Sequence, residues 1–125
     1  MPVYSLTSRK PISNAKIQQL GDLFTDTHCS IMVAPEQFVH VLFSDGIPIF
    51  DRKHLYIHAN VRAGRTPQTI EKMRDALITG CAKILGVKEH KIHLNMLEIQ
   101  AKWIMEGGYV MPDPGEEEEW MEKVT

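Results

Sequence analysis

Pro2 and the arginine pair Arg62 and Arg65 are residue types that could carry proton transfer on, and binding of, a small acid. Removal of Met1, which the small proline side chain permits, would leave a secondary amine at the terminus. A free α-amino group titrates near pH ~7.7–8.0, and partial burial beside arginines would disfavour its cation and lower that value. A group titrating close to working pH accepts and donates protons efficiently, and the ring fixes the direction of the nitrogen. A retained Met1 would turn the same nitrogen into an amide with no base function. Proline at this point also serves simply to stiffen the start of a strand.

Arg62 and Arg65 stand three apart, with Gly64 between them, just ahead of a helix start signal. A planar guanidinium pairs a carboxylate bidentately, and a helix N-terminus adds positive potential. The same spacing also describes two solvated loop arginines. His28 falls on the apolar stripe of a helix, where histidine is commonly a satisfied core residue. Glu106 precedes a Gly-Gly pair and, taken alone, is one more surface acid. The histidine pairs His54/His58 and His90/His93 lack a Cys or acid set at ligand spacing, so no metal site is expected. Cys29 and Cys81 form no CxxC pair and read as small core fillers in a reducing compartment, with cytosol the default.

These groups need elements to position them. Residues 2–8 read as a strand. Ser13 caps a helix with apolar positions Ile17, Leu20, Phe24, Thr27/His28 and Ile31, and Pro35 stops it. Residues 37–43 and 54–62 read as the second and third strands. Thr66-Pro67 opens a second helix with a stripe of Ile70, Met73, Leu77, Cys81 and Ile84, closed by Gly86. Residues 91–98 give the fourth strand. After Glu106 the chain is rich in Gly, Pro and Glu and reads as irregular. The glutamates at 116–119 read as a solvated acidic tail, tacked to a neighbouring surface by Trp120 and Met121.

The order repeats with an offset of 53 residues, which places Arg9 on Arg62, Ile17 on Ile70, Leu20 on Met73, Asp22 on Asp75 and His40 on His93. The expected fold is therefore α+β: a single domain over 1–125 built as a tandem βαβ repeat, 2–45 and 54–98, with a tail over 99–125. Right-handed crossovers put both helices on one face of a four-stranded mixed sheet. Val39, Val41, Phe43, Ile92, Leu94 and Met96 should face the helices. Phe38, His40, Leu42, Lys91, His93 and Asn95 should line the opposite face, whose apolar members favour a homo-oligomer. With 125 residues, a net charge of −2 and a pI near 6.3, the chain lacks the basic balance of a nucleic-acid binder, and no apolar run reaches membrane-spanning length.

Proline after the initiator methionine, opening a tandem βαβ chain, resembles the tautomerase superfamily, which includes 4-oxalocrotonate tautomerase and macrophage migration inhibitory factor. Within it the chain is similar to the cis-3-chloroacrylic acid dehalogenase group. The likeness runs nearly the full length on MPVY (1–4), TDTH (25–28), RAGR (62–65), Glu106 before Gly107-Gly108, and MPDPGEEEEW (111–120). It implies that Pro2 is the acid/base, that Arg62 and Arg65 bind the substrate carboxylate, and that His28 holds that carboxylate beside the proline. By the same resemblance Glu106 activates or orients water for addition to an unsaturated acid. Family members are trimers, so a homotrimer is implied. The expected partner is a small carboxylate substrate, with no cofactor, metal, nucleic acid or membrane. One position departs from the pattern: Asn95 stands where a tyrosine is expected. An amide can hydrogen-bond water or substrate but has no ionisable hydroxyl. Tautomerisation, or hydration of a reactive acceptor, is therefore expected ahead of dehalogenation. A non-catalytic trimeric binding or signalling relative is the alternative.

Overall fold

Ser13 and Thr66 each accept a bond from the backbone N–H three residues on, Lys16 at 3.3 Å and Thr69 at 3.1 Å. Each thereby caps a 19-residue helix, Asn14–Met32 (α1) and Pro67–Leu85 (α2), in a computed structural model that describes residues 1–124. The two helices keep the 53-residue offset at both ends. They bury stripes that match at three of four positions: Leu20, Phe24, His28 and Met32 on α1, and Met73, Leu77, Cys81 and Ala82 on α2. Gly86 ends α2 at φ 67°, while Val33 ends α1 at φ 53°, a left-handed conformation that costs a β-branched residue strain.

The sheet holds β1 (Val3–Ser8), β2 (His40–Ser44), β3 (Leu55–Arg62) and β4 (Ile92–Ile99) in the order β2-β1-β3-β4. Within each repeat the pairing is parallel across its helix, and the repeats join through antiparallel β1–β3, from Val3↔Asn60 to Ser8↔Leu55. The expected α+β architecture of a tandem βαβ repeat with both helices on one face is the observed one. The core between helices and sheet is closed by Tyr4, Leu6, Leu55, Ile57, Ala59 and Val61, with Val39, Val41, Phe43, Ile92, Leu94 and Met96 packed around it as expected.

The remainder differs from expectation in four places. The segment after β4 is ordered: a 3₁₀ turn at Ala101–Trp103, a hairpin of β5 (Met105–Glu106) and β6 (Tyr109–Val110), and helix α3 (Glu117–Val124). Gly107 and Gly108, at φ 60° and 84°, supply the hairpin turn. Phe38 is not on the open sheet face. It lies in a 3₁₀ turn, 1% exposed, in a second apolar cluster with Met1, Ala101 and Met111. Trp120 of α3 meets its ring edge-on at 5.3 Å, so the tail covers that surface from within the chain. Lys91 likewise belongs to the 3₁₀ turn Glu89–Lys91 rather than to a strand. Of the two free cysteines, Cys81 is core and Cys29 is only half-buried.

Candidate active site

The antiparallel centre of the sheet brings the start of β1 to the end of β3, so the amino terminus and Arg62 meet by topology. Pro2 is fully buried there. The Met1 ammonium contacts Glu106 Oε1, and His40 Nε2 lies 3.0 Å from the same oxygen. Burial lowers the pKa of this amine, Glu106 counteracts the shift, and the Arg62 charge adds to it.

His28 enters from α1 at 2% exposure, with Nδ1 2.6 Å from Tyr4 Oη. Burial first, then the charges of Arg65, Arg62 and the amino terminus, push its pKa down to about 3. The imidazole is therefore neutral at physiological pH. Burial also raises the Tyr4 phenol, which stays protonated. A protonated phenol can donate to Nδ1, which leaves the proton of the ring on Nε2.

Arg62 is the most voluminous fully buried side chain. Its NH1 donates to the Pro112 carbonyl at 2.6 Å, its NH2 donates to Glu117 Oε1 at 2.8 Å, and its guanidinium lies over the Phe38 ring at 5.3 Å. Burial alone would raise the Glu117 carboxyl. The Arg62 bond, backbone N–H donors of Glu117 and Gly115, and the Arg62 charge outweigh that and hold it below the usual range. The acidic run is thus not merely solvated, because Glu117 reaches inward to the arginine. Arg65 differs. Its bonds are to the carbonyls of Arg62 at 3.3 Å and Met32 at 3.4 Å, and among the described residues it forms no ion pair. Burial first, and then the neighbouring Arg62 charge, lower its pKa.

Pro2, His28, Arg62, Arg65 and Glu106 therefore converge around the amino terminus. Asn95 does not join them within the chain. It is exposed in mid-β4, in register with His58 and 3.3 Å from His93. Ile99, not Asn95, is the β4 residue opposite Arg62, and four residues of strand separate the two by roughly 13 Å. Three site residues escape a sequence reading. Tyr4 carries no signal beyond its place in MPVY, His40 reads as one more residue of the open face, and Glu117 is hidden among like neighbours. Of the converging residues, Glu106 lines a cavity of about 550 Å³, together with Gln37, Phe38, His40, Trp120 and Met121.

No family model and no curated protein matches the sequence. Solved structures do. N1, a member of the cis-3-chloroacrylic acid dehalogenase family, is 29% identical with a TM-score of 0.90, over 98% of this chain and 92% of that one. The F6 fused 4-OT wild type asymmetric trimer is 17% identical with a TM-score of 0.78, over 86% and 94%. MIF2 of Leishmania major is 19% identical with a TM-score of 0.70, over 81% and 90%. The last two share the fold.

Proposed function

We propose that this chain, which belongs to the tautomerase superfamily, is an enzyme acting on small unsaturated or 2-keto carboxylates, with Pro2 as general acid/base once Met1 is removed. The supporting observation is the convergence of a buried amino terminus with Arg65, His28 and Glu106. Arg65, a cation without a carboxylate partner, takes the substrate carboxylate. Arg62, already bonded to Glu117, adds positive potential behind it. His28, neutral and oriented by Tyr4, presents Nε2–H as a second donor to that carboxylate. The Pro2 nitrogen accepts the enol proton and returns a proton to carbon, while Glu106, oriented by His40, stabilises the ring cation. Hydration of an acetylenic acid would use Glu106 on water. Dehalogenation is not expected, because Asn95, exposed on the open face, stands where the resemblance puts a water-aiming phenol.

The catalytic unit is proposed as a homotrimer. Leu42 and Leu97 stand 57% and 58% exposed on the sheet face away from the helices, and β2 and β4 leave unpaired edges. Among the structural neighbours, fused 4-OT is a trimer by name.

Two measurements on one sample test the reading. Intact mass should show loss of Met1, and a phenylpyruvate-type enol should be ketonised by wild type. Pro2→Ala should lower that rate by about 10²–10⁴-fold, the range for removing a positioned acid/base. A processed, folded wild type with no activity on enols, acetylenic acids or 2-keto acids would favour the binding-protein alternative.

A further inference from the structure

The internal repeat builds two sheet ends, and only one holds the site above. At the other end, where Ser8 meets Leu55, a cavity of about 590 Å³ opens to solvent. Its walls are repeat counterparts of the first site at the same 53-residue offset. Arg9 stands for Arg62, His54 for Met1, His90 for Gln37 and Lys91 for Phe38. The chemistry has diverged. The first end has an apolar floor and a covering tail, whereas the second has Lys91 in place of the phenylalanine and no tail.

We infer that this second end is an anion-binding site, separate from the tautomerase-type site, for a small anion bearing two or more carboxylate or phosphate groups. Arg9, Arg52, Lys53, Lys88 and Lys91 line the cavity against one carboxylate, Asp51, a formal surplus of four positive charges in a chain whose net charge is −2. Asp51 is committed to Arg9 at 3.7 Å, to the Lys53 N–H at 2.7 Å and to the Tyr56 hydroxyl. Among the described residues no carboxylate pairs with the other four cations. Two of them bond to backbone carbonyls: Lys53 Nζ to His90 at 2.6 Å and Lys91 Nζ to Arg52 at 3.3 Å. Arg9 Nε adds a bond to the Lys53 carbonyl at 3.1 Å. Such bonds fix the cations in place without cancelling their charge, which is the preorganisation an anion site needs. Neutralising one charge would leave the rest uncompensated, so the fitting ligand carries several. The unmet field is felt at His54, whose pKa is lowered by burial and then by Lys10, Arg9 and Lys91.

The test is a titration of the full chain with citrate, pyrophosphate and acetate, followed by the imidazole signals of His54 and His90. Citrate or pyrophosphate should bind saturably at low salt, weaken as salt is added, and raise the His54 pKa. Preference between them tells carboxylate from phosphate chemistry. Arg52→Gln combined with Lys88→Gln removes two exposed cations that hold no structural bond. That variant should bind roughly tenfold or more weakly, while turnover at the amino-terminal site stays unchanged. The inference is overturned if neither anion saturates, if acetate binds as well as either, or if the double variant binds like wild type.

Discussion

His28 carries its cost in one direction of pH. Its folded-state pKa lies at about 3 against 6.5 for a free imidazole, so between those values the unfolded chain binds a proton that the folded chain refuses. Stability at this residue is present above pH 6.5 and is lost as pH falls toward 3. His28→Gln should flatten the slope of urea-unfolding free energy against pH in that window, and an unchanged slope would mean that other groups set it. The two arginines, alike in sequence, should behave differently when removed. Arg65→Ala should spare the fold and weaken a carboxylate inhibitor by about 1.5–3 kcal/mol, the worth of one charged bond. Arg62→Ala strips the partner from Glu117 in a pair whose side chains are 1% and 12% exposed. Breaking a buried pair costs about 3–5 kcal/mol, so its first effect should be a lower Tm. Equal losses of binding with no change in Tm would make Arg62 a ligand residue like Arg65.

At the scale of elements, the helices and strands are readable because their signals are local: a cap, a 3.6-residue stripe, a proline or glycine stop. The 53-residue offset then fixed how the halves correspond, down to the ends of α1 and α2. The tail was not readable for the same reason. Glu117 acquires meaning only from Arg62, 55 residues away in sequence, and the helix it opens is short and rich in like charge. Phe38 departs from the strand alternation because it lies in a 3₁₀ turn, which breaks the two-residue period. One contact between elements can be checked directly. A Cβ on Gly80 of α2 would sit 2.6 Å from Leu23 Cδ1 of α1 and 3.2 Å from its Cγ. Alanine normally gains up to ~1 kcal/mol over glycine in a helix. Here overpacking of about 1–3 kcal/mol should exceed that gain, so Gly80→Ala should lower the urea midpoint. A raised midpoint would show that Leu23 moves aside freely.

For the whole molecule, the proposed trimer should appear in light scattering at micromolar concentration, and Leu42→Lys with Leu97→Lys should shift it toward monomer. A wild-type monomer would remove the argument from the open face. The way the two repeats meet has another outcome. Each half is complete in itself, strand, helix and parallel strand, and the halves meet mainly through β1–β3 and the facing helices. The connection between them, residues 45–54, is largely exposed, and Phe50 has no cover at all. Severing the chain between Ile49 and Phe50 breaks no sheet bond and leaves Arg9 free to meet Asp51 from the other piece. Co-expressed fragments 1–49 and 50–125 should therefore find each other and co-purify with the circular dichroism of the intact protein. Neither piece should fold alone, since each would expose the flank of its own central strand. A protein made by doubling one unit would in that sense still be divisible into two.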